Sequence, residues 1–181
     1  MSGSPPQVVA YVAAGSNIEP RRNLPAALEA LRGREEVSGV STAYRSRAVG
    51  PDGQVQPDAP DFLNAVFEVR AARGPVELKH EVLRPIEAGL GRTRGPDKFA
   101  PRTIDLDLVL YGEATMDTAG LRLPAPDLLS PFILVPLLEL APALVLPNSR
   151  QPLCCLWPGG IPAGMAPDGE CTRVLKEILN R

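Results

Sequence analysis

The chain is poor in aromatic residues: one Trp, three Tyr and four Phe make up 4% of its 181 residues. It also lacks an excess of either charge, with 19 Lys and Arg against 21 Asp and Glu and a formal net charge of −2. Both shortages count against an RNA platform, which stacks bases on rings and draws phosphates to a basic face. Nor does the charge balance supply a field toward nucleic acid or a membrane surface. Any anionic ligand must therefore be held by a local cluster of cations. Long apolar runs are absent too: none reaches the ~20 residues of a membrane-spanning helix, and Phe132 to Leu140 is interrupted by Pro136 and Glu139. Met1 to Gln7 has no basic flank and no apolar core, so no signal peptide is expected. One histidine, His80, and three cysteines, Cys154, Cys155 and Cys171, are too few for a structural zinc site, and an odd number with two adjacent does not read as a disulfide framework. No Gly-x-x-x-x-Gly-Lys-Ser/Thr loop occurs, and Gly89 to Gly95 misses the dinucleotide spacing and follows a helix. These absences leave a reduced, soluble, cytoplasmic protein.

Proline is what the chain has in plenty, 21 residues in all, with clusters at Pro51 to Pro60, Pro96 to Pro101 and Pro147 to Pro167. Such clusters cannot continue a helix or a central strand. We expect one domain over residues 1–181, with its core in 7–147 and an irregular C-terminal extension over 148–181.

Between these clusters the periodicities are readable. Val8 to Ala14 is an apolar run that stops at Gly15-Ser16-Asn17, which predicts a buried strand and a turn. Asn23 is a candidate helix cap, with Leu24, Leu28 and Leu31 on one face before Gly33. Residues 38–46 and Phe62 to Arg70 alternate as strands, the second with Leu63, Ala65, Phe67 and Val69 on one face and Phe62, Asn64 and Val66 on the other. A helix is predicted from Pro75 to Leu90, kinked or split at Pro85. Thr103 to Tyr111 is the strongest strand, followed by a turn at Tyr111-Gly112-Glu113 and helices at Phe132 to Leu140 and Thr172 to Leu179. The order strand, helix, strand, strand, helix, strand is that of an α+β, ferredoxin-like split βαβ antiparallel sheet with two packed helices.

Asp105 and Asp107 stand two apart in that strongest strand, so both face one way, with Ile104, Leu106, Leu108 and Leu110 facing the other. Two carboxylates on a half-buried face repel one another and resist desolvation, and a hard divalent cation relieves both costs. The plainer reading is a solvated pair on an edge strand; the strand's hydrophobicity argues for a central position instead. Just before it, Arg92 to Arg102 holds four cations, Arg92, Arg94, Lys98 and Arg102, with one acid, Asp97. Guanidinium groups beside a metal site are what a polyphosphate needs. Phe62 and Asn64, on one strand face, suit a flat heterocycle with an edge of donors and acceptors, or equally a core ring beside a loop-capping amide.

With these residues in view, the chain resembles the 6-hydroxymethyl-7,8-dihydropterin pyrophosphokinases of folate biosynthesis, over about Val8 to Pro147. The resemblance rests on Gly15-Ser16-Asn17, Tyr44 to Pro51, Pro60 to Ala65, Glu87, Gly91 to Arg94, Pro101-Arg102-Thr103-Ile104-Asp105-Leu106-Asp107 and Leu134 to Leu137. It implies Mg2+, two ions held by Asp105 and Asp107, with ATP as co-substrate. It also implies catalytic roles for Arg92, Arg102, Asp105 and Asp107, and an ATP site at Glu87, Arg92, Arg94, Lys98, Arg102, Thr103 and Ile104. The pterin would meet Ser46, Arg47, Val49, Phe62, Asn64, Asp105 and Phe132, and Phe99 takes a position where the family often has tryptophan. The implied partners are ATP and the hydroxymethyl-dihydropterin, with no nucleic acid and no membrane, in a monomer or weak homodimer.

The chain also departs from the family. Pro124-Ala125-Pro126 lacks the family's histidine, and Leu129-Ser130-Pro131-Phe132 lacks its basic residue before the aromatic. Weak ATP affinity or slow turnover is therefore expected. A pterin-binding homologue with lost ATP chemistry is the alternative reading, and a different metal-dependent nucleotide hydrolase a more distant one.

Overall fold

The structure is a computed structural model and describes residues 7–50, 54–95, 100–147, 149, 151–157 and 159–181. Strand β1 (Val8–Ser16) runs beyond its apolar stretch, because Gly15 and Ser16 still pair with Asn64 and Leu63 of the strand β4 (Phe62–Ala71). Helix α1 (Pro20–Arg32) begins earlier than an Asn23 cap would allow. Pro20 opens it, where a missing N–H costs nothing, and Glu19 precedes it in the left-handed region at φ 43. Asn23 instead lies in the first turn, its Nδ2 donating to the Ile18 carbonyl at 2.6 Å. Leu24, Leu28 and Leu31 are fully buried, as their spacing predicts.

The strand expected over 38–46 is two strands on one line, β2 (Glu36–Val40) and β3 (Tyr44–Ser46), both antiparallel to β4. The break falls at Ser41, whose Oγ accepts from the Val66 N–H at 2.9 Å in place of a backbone carbonyl. The second helical segment is divided by Pro85 into α2 (Pro75–Glu77), a π-helical stretch (Leu78–Leu83) and α3 (Arg84–Gly89). A proline ring presses on the carbonyl four residues back, and the wider π turn carries the chain past it, with Leu78, Val82, Leu83 and Ile86 still facing the core.

Strand β5 (Asp105–Tyr111) pairs antiparallel with β1 on the side away from β4. The register shifts between Tyr11 and Val12. This irregularity corrects one expectation: Leu106 and Leu108 join the helix-side core with Ile104, but Leu110 joins Val109 on the opposite face. The sheet order β5-β1-β4-β3, with β2 beside β3 along β4, is the ferredoxin-like split βαβ arrangement. Helices α1 and α3 pack on one face; on part of the other, Ile133, Leu134 and Leu137 of α4 (Pro131–Leu140) cover Tyr11, Val66 and Val109. Between β5 and α4 the chain forms a small hairpin of β6 (Met116–Asp117) and β7 (Arg122–Leu123), entered through a turn at Gly112 with φ 49.

The sequence offered no strand beyond Pro147, yet β8 (Met165–Pro167) adds antiparallel to the free side of β3. A proline is tolerated there because an edge strand has an unpaired side. Helix α5 (Gly169–Leu179) then buries Cys171, Leu175 and Ile178 in the core beside α1. Among the described residues no helix is long and apolar enough to cross a membrane.

Candidate active site

The uncovered part of the sheet, beyond the end of α4, is a platform whose side chains are set by register. Asp105, Gly15, Asn64 and Tyr44 are aligned partners across β5, β1, β4 and β3. Aligned residues on antiparallel strands project to the same face, so Asp105 and Asn64 flank Gly15, about 10 Å apart across two strand spacings. Gly15 leaves the floor between them bare. One step to one side, Phe62 and Ser46 are aligned; one step to the other, Asp107 aligns with Ala13. Asn64 is buried and oriented by its Nδ2, which donates to Ser46 Oγ at 2.9 Å.

Both aspartates face this space, but their surroundings differ. Arg92 Nη1 lies 2.5 Å from Asp105 Oδ1, and Arg102 Nη1 lies 2.5 Å from Asp105 Oδ2. Burial raises the Asp105 pKa, but Arg92 and Arg102 outweigh it and hold the carboxyl below its usual range. Asp107 is paired more loosely, with Lys79 at 4.0 Å. Burial, then the charges of Asp105, Asp127 and Glu87, push its pKa up to about 6 against the pull of Lys79. Its side chain keeps 47% exposure toward the cavity, so water screens part of that repulsion.

The arginines are themselves held from below. Glu87 is 2% exposed, accepts from the Leu106 N–H at 2.9 Å, and pairs with Arg92 and Arg94. Burial raises its pKa, opposed by that N–H and by Arg92. Arg92 Nη1 also donates to the Ile104 carbonyl at 2.8 Å, which ties the loop end to the strand start. Arg102 is placed by Asn17: its N–H donates to Asn17 Oδ1 at 2.7 Å, and its carbonyl accepts from the Asn17 and Ile18 N–H groups at 3.2 Å. Its guanidinium carbon lies 5.5 Å from the Phe62 ring centroid, within cation–π range.

Asp105, Asp107, Arg102, Phe62 and Asn64 border one cavity of about 610 Å³. All seven residues expected around a heterocycle, Ser46, Arg47, Val49, Phe62, Asn64, Asp105 and Phe132, line it, with Arg102 and Asp107. Arg47 also pairs with Asp61 at 3.3 Å. Of the expected nucleotide set, Glu87 and Arg92 lie beneath Asp105, and Arg94 is exposed at the rim on Glu87. The Ile104 side chain is buried in the core, so only its backbone is near the site. Thr103 Oγ1 is buried with no hydrogen-bond partner among the described residues. Lys98 and Phe99 lie outside the described residues. The sequence assigns no site role to Asn17, Lys79 or Asp127; Asn17 stands there in a turn and in a family motif, and its side chain fixes the arginine that bonds Asp105.

The donor set fits a divalent cation. Among the described residues no group of three or more His, Cys, Asp or Glu could hold a metal, but magnesium commonly takes only one or two carboxylates and completes its shell with phosphate and water. Each Asp105 oxygen accepts one guanidinium and retains a second lone pair. Asp107, pushed toward protonation by burial and then by its acidic neighbours, would be relieved by a cation between the pair.

Known proteins resemble this chain in sequence and in fold. A sequence profile of the family described as 7,8-dihydro-6-hydroxymethylpterin-pyrophosphokinase (HPPK) matches residues 11–142. A 2-amino-4-hydroxy-6-hydroxymethyldihydropteridine pyrophosphokinase from Haemophilus influenzae is 38% identical over 147 residues, covering 79% of this chain and 88% of the relative. One of the same name from Synechocystis is 42% identical over 146 residues, covering 78% and 71%. The HPPK-DHPS protein of Plasmodium falciparum matches in structure with a TM-score of 0.67 over 92% of this chain and 50% of that one; at 12% identity the likeness concerns the fold alone.

Proposed function

The chain belongs to the 7,8-dihydro-6-hydroxymethylpterin-pyrophosphokinase family, a pyrophosphokinase of folate biosynthesis, and we propose that it transfers pyrophosphate from ATP to the hydroxymethyl group of 6-hydroxymethyl-7,8-dihydropterin, releasing AMP in a magnesium-dependent reaction. One observation carries this reading: one cavity of about 610 Å³ is lined by Asn64 and Phe62 and by the Asp105–Asp107 pair, with Arg102 spanning from the Phe62 ring to Asp105. The pterin edge would bond Asn64, with its ring between Phe62 and Phe132. Its hydroxymethyl oxygen then points along the floor over Gly15 toward Asp105.

The oxygen attacks the β-phosphorus in line; the new O–P bond forms as the bond to the AMP oxygen breaks. Arg92 and Arg102, already directed at Asp105, neutralise charge on the transferred group. Asp105, kept ionised by them, can take the hydroxyl proton. Glu87 keeps Arg92 in place, and Asn17 keeps Arg102 in place. Magnesium, two ions at Asp105 and Asp107, would screen the triphosphate and orient its oxygens. Residues 7–147 and the extension would work as one domain, as a monomer or weak homodimer.

The test is AMP release by the purified protein with ATP and magnesium, with and without the hydroxymethyl-pterin. AMP formed only with all three supports the reading; pterin binding with no AMP under any condition would sink it. ADP and inorganic phosphate from ATP alone would point to a hydrolase.

A further inference from the structure

The cavity has a wall that the family-matched residues 11–142 do not supply. Pro162, Ala163, Gly164 and Met165 line it as well. They form a short turn, with the Met165 N–H donating to the Pro162 carbonyl at 3.1 Å and Gly164 at φ 86, a conformation other residues rarely adopt. Register then places Met165. It aligns with Ser46, which aligns with Phe62, so the three stand in one row across β8, β3 and β4 on the cavity face.

The turn is anchored rather than draped. The Asp168 N–H donates to the Ala43 carbonyl at 2.8 Å, directly after β8. Its carboxylate, 3% exposed, pairs with Arg21 at 2.9 Å and Arg45 at 3.1 Å, and accepts from the Cys171 N–H to cap α5. Thr172 Oγ1 accepts from the Ala43 N–H at 3.0 Å. One buried acid therefore ties α1, β3 and α5 together just past the turn. Helix α5 holds the other side through Cys171, Leu175 and Ile178 in the core.

We propose that residues 162–165 form a fixed wall at the pterin end of the cavity, with Met165 as a positioning residue that sets affinity for the heterocycle. This rests on the assignment of that end to the pterin. A thioether is soft and polarisable and packs well against a flat ring. Phe62, Asn64 and Phe132 lie within the family-matched residues 11–142; Met165 lies outside them.

Equilibrium binding of the hydroxymethyl-pterin, read by its fluorescence without ATP, tests the wall in Met165→Ala, Met165→Glu and Asn64→Ala, alongside steady-state KM values. For Met165→Ala we expect the pterin Kd and KM to rise about tenfold, the scale of one lost apolar contact, with the ATP KM within about twofold of wild type. Met165→Glu should raise them further. If both Met165 variants bind like wild type while Asn64→Ala has lost binding, the wall plays no part and the pterin assignment stands. If Asn64→Ala also binds normally, the assignment of the cavity end falls, and this proposal with it.

Discussion

Gly15 stands opposite Asn64 in the β1–β4 register with room for little more than a hydrogen: a Cβ on it would lie 3.2 Å from Asn64 Oδ1. The same glycine aligns with Asp105 on its other side, so it is the bare tile between amide and acid. Gly15→Ala should displace Asn64 by a few tenths of an ångström, and Gly15→Val should also obstruct the floor. We expect pterin affinity to fall about tenfold in the alanine variant and further in the valine variant. The far-ultraviolet circular dichroism should stay unchanged, and pterin titration checks the rest.

Asp107 predicts a pH effect with a definite sign. Its pKa of about 6 in the folded, metal-free protein lies above the ~3.9 of an unfolded aspartate, so the folded state binds more proton in that window. The stability it contributes is present below about pH 4 and is lost as pH rises through 6. Asp107→Asn should therefore melt above wild type at pH 7.5 and alike at pH 4. Magnesium with an ATP analogue should raise the wild-type Tm and leave that of the variant nearly unmoved. Thermal melts at the two pH values, with and without those additions, decide both points.

Arg92 is predicted to carry both chemistry and structure. It bonds Asp105, Glu87 and the Ile104 carbonyl with one guanidinium. Arg92→Ala should slow kcat by about 10²-fold, the scale of losing one transition-state charge partner, and lower the Tm because Glu87 is left buried with less compensation. Asp105→Ala and Asp107→Ala should abolish turnover. Near-native activity in either aspartate variant would overturn the metal assignment.

Sequence made the centre of this molecule readable because the relevant signals are local. Alternation in Thr103 to Tyr111 places both acids on one face, and Phe62 with Asn64 shares a face for the same reason. What depends on pairing between distant segments was not readable. Leu110 changes face because the register between Tyr11 and Val12 slips, and nothing in its own strand announces that. Asn23 looks like a cap, but Pro20 already starts the helix. Asn17, Lys79 and Asp127 reach the site only through the folded backbone. Met165 was hidden among prolines, which argue against a strand in general yet are admitted at an edge.

The Asp168 junction has a consequence for how the protein is made. Ser46 leaves the ribosome long before Met165, so β3 must wait with one backbone edge open while the rest of the sheet assembles. An open edge invites pairing with other chains. Strand β8 and the turn before it therefore seal the sheet as well as finishing the ligand chamber, and a chain stalled or clipped near Pro147 would be prone to clump as well as poor at holding its substrate.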